Sequence, residues 1–119
     1  MATFTKNHLS GSTDGRGIHI DDAATPGKLV HTGPTNTAHF HEVWLYAMNY
    51  DSTDRKLTIE WGGATAGGDI IEQTVTAESG LILIVPGLVL QGNATALEIR
   101  AFAATATAIN IFGYVNEIA

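Results

Sequence analysis

Short apolar segments separated by clusters of Gly, Pro, Asn, Asp and Ser constrain the fold of this 119-residue chain more than any other feature. Within one of them, Leu57, Ile59 and Trp61 alternate with Lys56, Thr58 and Glu60, as in a strand with one buried and one wet face. No segment repeats its apolar residues at helical spacing. The pattern predicts an all-β fold, specifically an antiparallel β-sandwich of the jelly-roll type.

About eight strands are predicted, at residues 17–20, 28–32, 41–50, 55–62, 69–77, 80–90, 96–104 and 108–118. Between them, the connections at 50–55 and 77–80 contain Asp, Glu and Ser side chains suited to capping backbone amides, and each is predicted to close an antiparallel hairpin. Pro86 and Gly87 interrupt the sixth strand, which predicts a bulge, a corner between sheets or a sheet edge.

The domain organisation follows from length and from the position of these segments. Residues 1–16 are predicted to form a polar N-terminal arm, and residues 17–119 a single β-sandwich domain. The first residues lack the charged and apolar regions of an export signal, so the chain is expected to stay in the compartment where it is made.

Charge and composition narrow the function. Twelve acidic residues against six basic ones give a net charge of −6, which disfavours binding to nucleic acid or to anionic membranes. Without cysteine there is neither a disulfide nor a thiolate metal site. Only 15% of the residues are charged, against about 25% in an average soluble domain. We therefore expect other subunits to cover part of the surface.

Two predicted strands are apolar on both faces, at residues 81–85 and 109–115. In an antiparallel sandwich one face of such a strand fills the core, and the other has to be covered. Either a loop of the same chain or a neighbouring subunit would serve.

The pair His39 and His41 is the strongest chemical signal. Residues 33–41 fit the GxxxxxHxH part of the first cupin motif, but the glutamate expected at position 45 or 46 is replaced by Leu45 or Tyr46. A second-motif histidine is also missing, since His41 is the last histidine of the chain. Two imidazoles without a third ligand do not make a metal site, so neither a metal nor another cofactor is predicted.

Other catalytic patterns are absent: the chain has no GxSxG elbow and no phosphate-binding GxxxxGK[ST] loop. Its carboxylates lie mostly at turns or on faces predicted to be solvated. We expect no enzymatic activity and no catalytic residues.

The aromatic residues allow a further alternative. Trp44, Tyr46 and Tyr50 share one face of a predicted strand and Trp61 lies near a strand end, an arrangement that would suit stacking on a sugar. The competing interpretation places these rings between the two sheets, in the core. A carbohydrate-binding module or virion adhesin therefore stays open as an alternative.

The amino-acid sequence of several segments resembles that of head decoration, or cement, proteins and other small virion proteins of tailed bacteriophages. The segments that carry the resemblance are residues 42–47, 57–63, 80–87, 100–104 and 112–116, in the same order and with similar spacing. The similarity spans roughly residues 41 to 118 and does not include the arm.

The resemblance implies a β-sandwich that forms a homotrimer, binds the major capsid protein on the outside of the head and stabilises the capsid. It implies a virion location after assembly in the bacterial cytoplasm. Candidates for contacts with a sister subunit or the capsid are Thr3, Phe4, Leu9, His39, His41, Ile82, Ile84, Phe112 and Tyr114. The alternatives are the adhesin and a cupin-like metalloprotein.

Overall fold

The computed structural model describes residues 2–105 and 108–119. Met1, which falls in the predicted arm, and Ala106 and Thr107, which fall in the predicted domain, lie outside the described residues. The described residues contain no helix that could cross a membrane.

Nine strands are present in the described part of the chain. They are β1 (Phe4–His8), β2 (Ile18–Ile20), β3 (Lys28–Thr32), β4 (Phe40–Asn49), β5 (Arg55–Trp61), β6 (Ile70–Val75), β7 (Ile82–Gln91), β8 (Glu98–Ala103) and β9 (Ile109–Ile118).

These strands form two antiparallel sheets. The first sheet has the order β1-β9-β4-β7, with β2 also paired to β9, and the second has the order β3-β8-β5-β6. From β2 onwards the chain crosses to the other sheet at every connection except β5–β6. A five-stranded and a four-stranded sheet linked in this way form a jelly roll. The prediction of an antiparallel, jelly-roll-like β-sandwich is confirmed.

The ninth strand, β1, lies inside the segment predicted to be an arm. It pairs antiparallel with β9 from Phe4 opposite Ile118 to His8 opposite Tyr114. All five of its side chains are exposed, so it has no apolar face to give an alternating signal. Backbone pairing holds it on the sheet edge, and such pairing leaves no mark on the sequence.

Both tight connections predicted to be hairpins instead join the two sheets. Asp51 does cap the turn after β4, since its Oδ1 accepts from the Ser52 amide at 2.7 Å and its Oδ2 from Arg55 Nη2 at 2.6 Å. However, β4 and β5 lie in different sheets, as do β6 and β7. The hairpin prediction was wrong because capping chemistry sets the turn but not which partner a strand finds afterwards.

The interruption at Pro86 and Gly87 is a bulge in an edge strand. The register between β4 and β7 shifts between the pairs Val43–Leu88 and Trp44–Pro86, so Gly87 has no partner. Gly87 has φ +79°, and a Cβ there would lie 2.9 Å from Cζ2 of Trp44. Only glycine fits this position without strain.

Candidate assembly surface and the histidine network

The outer face of the first sheet carries an aromatic row that faces away from the core. The register pairs Trp44 with Tyr114 and Tyr46 with Phe112 across β4 and β9. Their neighbours along β4, such as Leu45, are buried against the second sheet, whereas these four rings are half-buried on the other side. The interpretation that the β4 aromatics fill the core was therefore wrong.

Polar contacts hold this row in a defined arrangement. Trp44 stacks on Tyr114 with ring centroids 6.1 Å apart and planes 12° from parallel. The indole Nε1 of Trp44 donates to Glu42 Oε1 at 2.9 Å, and Asn116 Nδ2 donates to the same oxygen at 2.8 Å. These two hydrogen bonds lower the pKa of Glu42. Lys6 Nζ lies 4.7 Å from the centroid of the Tyr114 ring.

Exposed aliphatic and aromatic side chains continue this surface at both of its edges. On β7, Leu83 is 44% exposed and Val89 52%, and on β1 Phe4 is 69% exposed. No charged residue occurs between Glu78 and Glu98 in the sequence, which includes the whole of the β7 edge. We call the outer face of β1, β9, β4 and β7 the assembly face. A face this apolar is unusual on a protein that works alone.

The other aromatics lie elsewhere. Tyr50 follows the end of β4, where its ring stacks on His19 with a centroid distance of 6.3 Å. Trp61 points inward and packs against the core. Neither belongs to the aromatic row, so the row consists of Trp44 and Tyr46 from β4 with two rings contributed by β9.

A second group of interest lies between the sheets at one end of the sandwich. His31 of β3 is 3% exposed and His41 of β4 is 8% exposed. Nε2 of His31 lies 2.8 Å from Nδ1 of His41, and Nε2 of His41 lies 3.2 Å from Oε2 of Glu117. The Ser10 amide donates to His31 Nδ1 at 3.0 Å. The three side chains therefore link β3, β4 and β9.

The Ser10 amide determines which nitrogens of this network carry protons. An amide can only donate, so His31 Nδ1 accepts and a neutral His31 has its proton on Nε2. His31 then donates to His41 Nδ1, and His41 donates from Nε2 to Glu117. Burial, with a smaller contribution from His41, lowers the pKa of His31 from 6.5 to about 4.

This network does not have the form of a metal site. Both ring nitrogens of His41 are engaged, one toward His31 and the other toward Glu117, so one ion cannot reach all three side chains. His39 precedes β4 and is not part of the network. No group of three or more metal-ligating side chains is found in residues 2–105 and 108–119.

The interface candidates on β1 and β9 are accessible. Thr3 and Phe4 are exposed at the free edge of the first sheet, where Thr3 and Ala119 exchange two backbone hydrogen bonds of 2.7 and 2.9 Å. Phe112 and Tyr114 lie on the assembly face itself.

The remaining candidates are less available. Ile82 and Ile84 pack partly against the core, and His39 is half-buried. Leu9 is 1% exposed and belongs to the core, and His41 is buried in the network. The structure therefore does not offer the side chains of Leu9 and His41 to a partner, because the arm folds back and inserts Leu9 between the sheets.

One cavity of about 370 Å³ opens on the outer side of the second sheet, lined in part by Glu60, Glu98 and Arg100. Its charged groups are bound within the chain. Arg100 donates from Nε and Nη2 to Glu98 Oε1 at 3.1 and 3.0 Å, and from Nη1 to the Gly27 carbonyl at 2.9 Å. Glu60 accepts from Thr25 Oγ1 and from the Gly27 amide.

Sequence reasoning missed the partners of the histidines and of the aromatic row. Glu117 lies 76 residues from His41, and Asn116 lies 74 residues from Glu42. His31 is only 10 residues from His41 but lies on a strand of the other sheet, so no spacing rule connects them. The alternation did place Glu42 opposite His41 across the strand, as the structure confirms.

No known protein family matches this chain, and neither a curated protein nor a solved structure does.

Proposed function

We propose that this chain is a head decoration protein of a tailed bacteriophage, which binds the outer surface of the capsid and stabilises it by bridging major capsid protein subunits. The proposal rests on the resemblance of residues 41–118 to such proteins. The single structural observation that supports it is the assembly face, whose edges expose the apolar side chains of Phe4, Leu83 and Val89.

The dimensions of the assembly face suit a stable contact. Its three long strands of ten residues are each about 33 Å long and lie about 4.8 Å apart, so they present roughly 500 Å². A stable interface buries about 800 Å² on each partner. The exposed residues at the two edges, including Phe4 and Leu83, extend the face toward that size.

The proposed role is mechanical rather than catalytic. A homotrimer would present three copies of each capsid-binding surface, and contacts that are weak singly become strong together. Each trimer would then hold neighbouring capsid subunits in place, so that their separation requires the decoration contacts to break as well.

The test uses capsids prepared without this protein, mixed with the purified chain and sedimented. We expect the chain to sediment with the capsids and to raise the temperature at which they release DNA. Leu83→Glu combined with Val89→Glu on the assembly face is expected to weaken self-association or capsid binding at least tenfold. The matched control is Thr74→Glu, an exposed strand position on the second sheet. A monomer that does not bind capsids would refute the proposal.

The aromatic row also supports a second candidate, a carbohydrate-binding adhesin. Half-exposed Trp44 and Tyr114, with the Glu42 carboxylate and the Asn116 amide beside them, form the kind of surface on which sugar rings stack. A glycan array distinguishes the two functions. Binding to a defined glycan that is lost in Trp44→Ala, by a chain that does not bind capsids, would favour the adhesin.

A further inference from the structure

The N-terminal residues bridge the two sheets. β1 adds to the first sheet, and the chain then crosses so that the Gly11 amide donates to the Val30 carbonyl at 2.9 Å on β3. The Thr32 amide donates to Ser10 Oγ at 2.7 Å. Residues 9–11 thus lie along an outer strand of the second sheet. We call residues 9–11 the strap.

The Ser10 amide, which determines the proton positions of the network, also bonds the strap to His31. The Ser10 amide donates to His31 Nδ1, and His31 passes its own proton toward His41. If His31 gains a second proton, Nδ1 becomes a donor and faces the Ser10 N–H, so the hydrogen bond is replaced by repulsion.

We propose that the His31–His41 pair is a pH-sensitive latch, in which protonation of His31 releases the strap from β3 while the two sheets stay folded. The latch goes beyond the proposed role on the capsid and does not depend on it. It makes the arrangement of the N-terminal residues a function of pH.

The surroundings leave few other groups able to titrate in place of the pair. From β4, His31 faces His41, and beyond it β9 contributes Glu117. From β8 the residue opposite His31 is Ile99, and from β7 the residue opposite His41 is Leu90. The strap contributes the Ser10 amide, which does not titrate.

The direction of the pH dependence follows from the proton affinities of the two states. His31 has a pKa of about 4 when the latch is closed, and strap release hydrates it, so its pKa rises toward the ordinary value of 6.5. The open form therefore binds the proton more tightly, and falling pH shifts the equilibrium toward opening. Between those two pKa values, each pH unit changes the opening equilibrium by up to about tenfold.

Amide hydrogen exchange of the whole chain at pH 7, 5.5 and 4, corrected for intrinsic exchange rates, tests the latch. The amides of Ser10, Gly11 and Thr32 are expected to lose protection by on the order of 100-fold at pH 4. The β5 amides of Leu57 and Ile59 are expected to keep theirs. Unchanged protection in the strap, or equal loss in strap and β5, would overturn the proposal.

His31→Gln tests whether histidine titration is responsible. Gln retains one acceptor and one donor but gains no proton in this pH range. We expect the strap to stay protected at pH 4 in this variant, whereas the control His19→Gln, at an exposed histidine, behaves as the parent chain. If His31→Gln loses strap protection with pH as the parent does, the latch is refuted.

A measurement on the unaltered chain remains decisive if that variant does not fold. Imidazole ¹⁵N shifts report the tautomer and the titration of each histidine directly. We expect His31 to be neutral at pH 7 with the proton on Nε2, and strap opening to follow the titration of His31. Proton positions on Nδ1 at pH 7 would contradict the proposed latch.

Discussion

The outer faces of the two sheets differ in a way that reverses what alternation alone predicts. On the first sheet, Trp44 and Tyr114 are half-exposed although their rings are apolar. On the second, Thr58 and Glu60 are 5% and 3% exposed although their side chains are polar. The residues before β3 fold over Glu60, whereas the rings of the aromatic row stay partly exposed.

This contrast shows that alternation assigns residues to a common face but does not say which face is covered. Leu57 and Ile59 share the inner face of β5, as predicted, and both are fully buried. The opposite face of β5 was predicted to be wet, which was wrong for the buried Thr58 and Glu60. The Gly27 amide donates to Glu60 Oε1 at 2.7 Å. A single polar residue can be buried when the loop that covers it supplies the hydrogen bonds.

The largest loss of stability is expected when the hydrogen bonds of the buried Glu60 on the outer face of β5 are removed. Glu60→Ala removes the acceptor of the Gly27 amide, which is left without a partner in a buried place, and also the acceptor of the hydroxyl of the exposed Thr25. Loss of a buried partner costs about 1–3 kcal/mol, so the free energy of unfolding should fall by up to about 3 kcal/mol. Urea denaturation measures it.

A matched carboxylate on the same outer face provides the control for Glu60→Ala. Glu72 makes an ion pair with Lys56 at 2.7 Å, and both side chains are 53% exposed. Glu72→Ala should cost less than about 1 kcal/mol, as exposed ion pairs do. Equal losses for the two variants would show that the Glu60 side is not covered in solution.

The second-largest effect is a loss of stability at low pH, which comes from the histidine network between the two sheets. The folded-state pKa of His31 is lowered to about 4 from 6.5, so the unfolded chain binds more protons and stability falls as pH drops through this window. From pH 7 to pH 5 the expected loss is about 2 kcal/mol, since one pKa unit corresponds to about 1.4 kcal/mol.

Urea denaturation at several pH values measures this loss. In His31→Gln the contribution of this group should vanish, while other titrating groups still act. A pH dependence identical to that of the parent chain would count against a buried neutral His31.

A smaller effect on stability is expected from placing charged residues on the assembly face. Leu83→Glu and Val89→Glu place carboxylates at side chains that are already 44% and 52% exposed. The unfolding free energy of the monomer, measured at high dilution, should change by less than about 0.5 kcal/mol each. A large loss would mean that the assembly face is covered within the monomer.

The smallest effect is local to the aromatic row. Trp44→Phe removes the indole donor to Glu42 but keeps an aromatic ring against Tyr114. Because that hydrogen bond is the main cause of the lowered pKa of Glu42, the pKa should rise toward its ordinary value. A carboxyl ¹³C titration measures it, and an unchanged pKa would exclude the hydrogen bond.

Much of the fold was accessible from local patterns. Eight of the nine strands have an apolar alternation or a doubly apolar run, and the bulge at Pro86 and Gly87 follows from their backbone restrictions. β1 has neither signal, because its five side chains are all exposed. Backbone pairing and the contact of Lys6 with the Tyr114 ring hold it to β9. The two tight turns were wrongly predicted to close hairpins, because the same capping contacts occur in a hairpin and in a connection between two sheets.

The sequence by itself determined that the chain is all-β, that Leu57 and Ile59 face the core, and that the share of charged residues is low. These properties depend on neighbours along a strand, where side chains alternate by geometry. The tertiary structure decided that His41 meets His31 and Glu117, that a loop covers Glu60, and that the aromatic row stays open. These contacts join residues on different strands and loops, and the arrangement of the strands in the two sheets creates them.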